Sequence, residues 1–311
     1  MSENGFVGRP VEDVVSAIAN PADGPDPETV RAAFDPITDD GAVTRAGIET
    51  AVSDTSKLLA TTETRVELAG IAHDDATDAA TSVDDLDIVA ARVDAYTRRL
   101  DAVETRAADL EDDWRTLDVE PDEPDAVYDL AVGLRDVAAT AQDVVRQADD
   151  LSFDLERFES WLDSPRRRYD EFEEDADLVA ESLDELTAAT EALPSESDAP
   201  AADWADATMR TRVLDLLVTD LRTELTDLRA WADREEVPFR DGLDERVVDL
   251  EGRIAALADT LADRGEPAWR DRFGADLAAF ERELDAFDPP TDWRRVRNTL
   301  ETRREHTFED R

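Results

Sequence analysis

The sequence predicts an all-α fold: a long antiparallel coiled coil or helical bundle, with a short helical N-terminal head and a C-terminal helical region. The first observation is a run of apolar residues at Leu86, Val89, Val93, Tyr96, Leu100, Val103, Ala107, Leu110, Trp114 and Leu117, stepping alternately by three and four. That spacing places them on one stripe of a helix. The second is a repeat of the spacing at Val127, Leu130, Leu134, Val137, Ala141, Val144, Ala148, Leu151, Leu155, Phe158 and Leu162, after a turn rich in proline and acid from Glu120 to Pro124. Two stripes of equal length joined by a short connection predict a helical hairpin with arms of about 50 Å. The third is negative: no stretch alternates as a strand would.

Residues 1–50 read as a small helical head. Pro10 to Ala19 is a short amphipathic helix, and Asn20 to Pro25 a linker. Asp26-Pro27-Glu28 supplies an N-cap with proline at the first helical position, opening a helix to about Phe34. Thr38 to Gly41 is a turn, and a helix restarts near Thr44. Residues 51–193 form the long hairpins. A weaker stripe (Ile48, Val52, Leu59, Val66, Ala69, His73, Ala76) runs to about Ala80, and Ser82 is the expected cap of the first arm. Ser164-Pro165 predicts a break with a fresh helix rather than a kink, after which Tyr169, Phe172, Ala176, Val179, Leu183 and Leu186 keep the register. The polar, proline-flanked segment 194–202 is the expected linker, and 203–311 a C-terminal domain of four helices.

The chain has 80 acidic and 34 basic residues, a net charge of −46, yet 41% hydrophobic residues, enough for a sizeable helical core. Fifty of the acids are Asp, and Lys57 is the single lysine. Self-repulsion on this scale strains a compact chain in dilute buffer. In molar salt the Debye length falls to about 3 Å and the repulsion is screened. The expected setting is therefore the cytoplasm of an extreme halophile, where acidity says little about partners. No apolar run is long enough to span a membrane, so no membrane insertion is expected. The start shows no basic-then-apolar secretory signal, and there is no cysteine.

Candidate chemistry is sparse. Aligning Gly41 with a calcium loop's glycine puts Pro36 and Gly47 where acidic ligands are needed. Residues 1–52 hold ten acids and three arginines, which opposes a DNA-reading helix-turn-helix and favours a docking module or a cap on the bundle. The two histidines, His73 and His306, lack a Glu three residues earlier, so no di-iron site is expected. No phosphate-binding glycine loop or nucleophile elbow is present, and no cofactor is expected. Two basic features stand out as interaction candidates. Arg166, Arg167 and Arg168 follow Pro165; Arg294, Arg295, Arg297, Arg303 and Arg304 lie in a terminal segment that is nearly charge-balanced.

The stretches Gly5 to Asp13, Thr61 to Gly70 and Pro267 to Phe273 resemble the acidic, all-helical haloarchaeal family known as halo transducer proteins. The resemblance covers essentially the whole chain and implies a role in signal transduction. The expected function is a non-enzymatic coiled-coil scaffold or interaction protein with unidentified protein partners. The alternative is a nucleic-acid-associated or chromosome-organising protein contacting through the arginine-rich last helix, which the overall acidity opposes. The stripes allow closure within one chain or a homodimer through them.

Overall fold

A computed structural model describes residues 7–19, 26–121, 124–196 and 199–308. Among them are ten α-helices and one minimal hairpin, so the all-α expectation holds. The expected Asn20 to Pro25 linker lies outside the described residues, as do Arg311 and two residues of the expected turn at 120–124.

Helices α1 (Val11–Ile18) and α2 (Pro27–Phe34) open the head. The Asp26 carboxylate accepts from the Glu28 and Thr29 N–H groups, both at 3.1 Å, and Pro27 takes the first helical position, as its sequence predicts. A single 3-10 turn (Asp35–Ile37) then leads into β1 (Thr38–Asp39) and β2 (Ala42–Val43), paired antiparallel. The absence of strands is corrected to that extent. Asp40 and Gly41, at φ 49° and 79°, form a two-residue turn whose twist suits paired strands, so the expected turn closes a hairpin.

The Thr44 hydroxyl accepts from Gly47 N–H at 2.9 Å and caps α3 (Arg45–Ala80). Gly47 is required by close approach: a Cβ there would lie 2.3 Å from the Ile37 carbonyl oxygen. That approach seats the hairpin on the first turn of α3. Val14, Val15, Val30, Phe34, Ile37 and Val43 then share one core with Ile48, Val127, Leu130 and Leu134. The head thus caps the bundle.

The first arm is α4 (Asp87–Thr116), and the second is α5 (Pro124–Leu162). Ser82 does not cap α4, which begins five residues later after a turn closed by Val83 N–H to Ala80 and Leu86 N–H to Val83. The chain divides into two compact units, Met1–Ala79 with Asp94–Glu159, and Ala80–Val93 with Ser160–Arg311. This differs from the expected boundaries because α4 and α5 each contribute to both units, and an unbroken apolar stripe carries no mark of such a division. In the first unit α4 and α5 run antiparallel: Tyr96 meets Phe158 at 5.4 Å between ring centroids, Arg99 pairs with Asp154 at 2.8 Å, and Leu117 touches Gly133. The third helix, α3, joins through His73 Nε2 and Thr97 Oγ1 at 2.8 Å and through Arg65 and Asp149. Lys57 lies on its exposed face beside Asp54.

The second unit holds α6 (Pro165–Glu196), α7 (Pro200–Glu235), α8 (Leu243–Arg264), α9 (Pro267–Leu284) and α10 (Trp293–Phe308). The break at Ser164-Pro165 is observed, with Ser164 accepting at the start of α6. The expected linker is mostly helix: α6 continues to Glu196 and α7 starts at Pro200, two helices that pack against each other. Arg246–Asp177 and Arg253–Asp184 step along α8 and α6 together by two turns, so these helices run parallel. Arg222–Glu251 and Arg229–Asp244 step in opposite senses, placing α7 antiparallel to α8. Helices α9 and α10 close over Met209 through Phe280, Leu284 and Val296.

Every member of the α5 stripe, Val127 to Leu162, is buried within the chain. The α5 seam is thus packed within the single chain. Gly47→Ala is expected to destabilise the fold by about 1–3 kcal/mol, because backbone rather than a flexible side chain must move. A lowered midpoint in a urea unfolding curve checks this.

Candidate functional site

The arginines predicted as an interaction site separate into two groups. Arg168 is 2% exposed, and its two amino groups are engaged, Nη1 with the Leu162 carbonyl and Nη2 with Glu235, both at 2.6 Å. Its guanidinium also lies 3.8 Å from the centroid of the Trp231 ring. It is a lock between the start of α6 and the end of α7, and a partner has no access to it. Arg303 makes a forked contact with Glu283, and Arg304 pairs with Asp206 at 2.6 Å. Arg295 lies over Phe287, and the exposed Arg166 pairs with Asp170 one turn on. Arg167, Arg294 and Arg297 stay exposed on the surface.

Arg168 belongs to a larger polar and aromatic hub in the second unit. Trp231 meets Trp161 edge-to-face at 5.3 Å, and Arg92 of α4 stacks 4.2 Å from the Trp161 ring while its Nη2 donates to Glu171 at 2.6 Å. Such cation–π contacts gain strength where water is excluded. Behind Arg92 lies a stripe of acids on α7, one turn apart: Asp220, Glu224 and Asp227. Asp220 accepts from Thr291 N–H at 2.9 Å and Trp293 Nε1–H at 2.8 Å, anchoring the start of α10. Asp227 accepts from Ile88 N–H at 2.9 Å, so a residue of α7 satisfies the first turn of α4. Burial raises the pKa of both, against these donors. Glu224 differs, since its Oε1 is sealed from solvent and accepts no hydrogen bond. Burial pushes its carboxyl up to about 7; Arg92 opposes this, and Asp175, Glu171 and Asp220 add to it. The Asp175 carboxyl is raised too, by burial first and then by Glu171. No group of acidic or histidine side chains among the described residues is arranged to hold a metal ion.

In the first unit, a half-open groove of about 370 Å³ lies beside the head. Ile48 and Val52 of α3, Trp114 of α4, Val7, Val119 and Pro121 give it apolar walls, and Arg45, Glu49 and Glu120 stand at its sides. Val7 and Val119 are 40% and 39% exposed, so apolar surface is left uncovered there. The Arg45 guanidinium is exposed, with no carboxylate within ion-pair distance among the described residues.

Sequence reasoning predicted the arginine clusters but missed the acidic stripe of α7, the stacked Arg92 and this groove. Comparisons of the chain with protein-family models, curated proteins and solved structures find no match.

Removing Arg168 strands Glu235 and the Leu162 carbonyl and opens a gap over Trp231. Arg168→Ala is expected to cost about 3 kcal/mol. Arg168→Lys should recover only part of this, because an ammonium cannot form the fork. Arg294→Ala and Arg297→Ala should each stay within about 0.5 kcal/mol of the parent. Denaturant unfolding in molar salt distinguishes these outcomes.

Proposed function

We propose that this chain is a non-enzymatic helical interaction protein, adapted to the cytoplasm of an extreme halophile, that docks a partner protein in the groove beside its head. The observation that carries the reading is that groove: apolar walls around Trp114 with an exposed guanidinium at the side, unpaired among the described residues. Its chemistry specifies the occupant as an apolar segment of a partner bearing a carboxylate. The apolar residues would displace water from Trp114, Val52 and Val119, and the carboxylate would meet Arg45 in a forked contact. An aromatic anchor next to an arginine is the composition that dominates binding energy at interfaces.

Signal transduction is the favoured context, on the resemblance to halo transducer proteins. The nucleic-acid alternative draws little support, because Arg303 and Arg304 are held by Glu283 and Asp206, leaving few cations for phosphates.

Affinity capture from a haloarchaeal lysate at multimolar salt tests the docking site. The parent chain should retain a defined protein, and Trp114→Ala and Arg45→Glu should each weaken retention at least about tenfold with the circular dichroism unchanged. Equal retention by parent and variants would reject the groove.

The halophile reading has its own check. Excess carboxylates face outward, and the arginine pairs recover only part of their repulsion. Helical ellipticity should fall as salt is diluted from multimolar to millimolar and return on adding potassium chloride. A spectrum indifferent to salt would overturn this reading.

A further inference from the structure

Of the three acids on the α7 stripe, Asp220 and Asp227 have donors aimed at them, and Glu224 has none at Oε1. The charged groups facing it are Arg92 from α4, Glu171 and Asp175 from α6 and, on its own helix, Asp220. One guanidinium thus stands among four carboxyls, already donating to Glu171 and stacked on Trp161. With a proton on Glu224 this arrangement is stable. Without it, an ionised oxygen is buried with no donor, which is costly unless a cation is drawn to it. Among the described residues, the cation facing it is Arg92. Moving it to Glu224 would surrender its contact with Glu171, one of the contacts holding the N-terminal turns of α4. The Asp227 cap on Ile88 and the Asp85–Arg234 fork are two more.

We propose that Glu224 is a proton-operated latch on the first turns of α4, Asp87 to Val93. Protonated, it leaves Arg92 on Glu171 and these turns docked on α6 and α7. On releasing its proton to solvent it draws Arg92 away, and the turns loosen.

The sign follows from burial. The folded chain keeps this proton to higher pH than the unfolded chain does. The contribution of Glu224 to stability is therefore greatest below the ordinary carboxylate range, declines as pH rises towards about 7, and is flat above. The device would respond within the range of a cell's own pH and is independent of whether the groove binds a partner.

Hydrogen exchange read by mass spectrometry on the full chain in molar salt tests the latch, with rates corrected for intrinsic pH dependence. Protection of the peptide spanning Asp87 to Val93 should fall at least about tenfold between about pH 5.5 and about pH 8.5, while a peptide from α8 stays constant. Glu224→Gln keeps the shape and cannot ionise, so its protection should remain high at both values. Asp175→Asn removes a facing carboxylate and should move the parent's transition to higher pH if Arg92 is thereby held more firmly on Glu171, or to lower pH if direct repulsion of Glu224 dominates; either displacement supports coupling within the cluster, and none would count against it. Constant protection in the parent, or the same loss in Glu224→Gln, overturns the proposal. Should Glu224→Gln fail to fold, the carboxyl 13C titration of the parent decides: a Glu224 resonance titrating in the ordinary glutamate range would also overturn it.

Discussion

The buried guanidinium of Arg168 is the constraint on which the second unit depends. It lies where three demands meet: the carbonyl left open at the end of α5, the carboxylate near the end of α7, and the flat face of Trp231. A planar, permanently charged fork can meet all three, and burial lowers its pKa without discharging it. Trp161 and Arg92 extend the arrangement, so two touching indoles with a guanidinium on either side tie α4, the end of α5, α6 and α7 together. An apolar stripe alone fixes the face a helix buries but tolerates sliding by a turn. Directional contacts of this kind set the register.

The arginine pairs show how a chain of net charge −46 remains folded. Between α6, α7 and α8 the pairs repeat at helical spacing, putting cations along the grooves where acidic faces approach. Most are exposed and individually weak. Their collective effect is to place like charge outward and opposite charge across each helix–helix seam. The hub reverses this economy, with acids turned inward and fewer cations than carboxyls. There the pattern of surface pairing gives way to buried, proton-dependent chemistry.

Much of the architecture was legible because it is periodic. The stripe of α5 is buried at every position, Asp26-Pro27 caps α2, and Ser164-Pro165 ends one helix and begins another, each for a local reason visible in the residues. What escaped was non-local. Arg168 reads as part of a basic run, and nothing nearby in sequence reveals that Trp231 and Glu235 wait for it. Asp220, Glu224 and Asp227 form a stripe directly beside Leu221, Leu225 and Leu228. In a chain with fifty aspartates, that stripe is indistinguishable from a solvated face. The division into units escaped for a related reason, since helix continuity conceals where packing changes partners. The groove depends on Val7, Arg45, Trp114 and Pro121 meeting, residues that no local pattern links.

The solitary Lys57, exposed on α3 beside Asp54, shapes how the molecule can be approached chemically. Reagents that bridge side-chain amines have a single foothold and will leave almost the whole surface silent. A neighbour bound out of reach of that one amine would escape such reagents even when tightly held. The same scarcity makes this position a natural handle: an amine-reactive fluorophore reports on one place in the first unit, and carboxyl-directed coupling becomes the informative way to map neighbours.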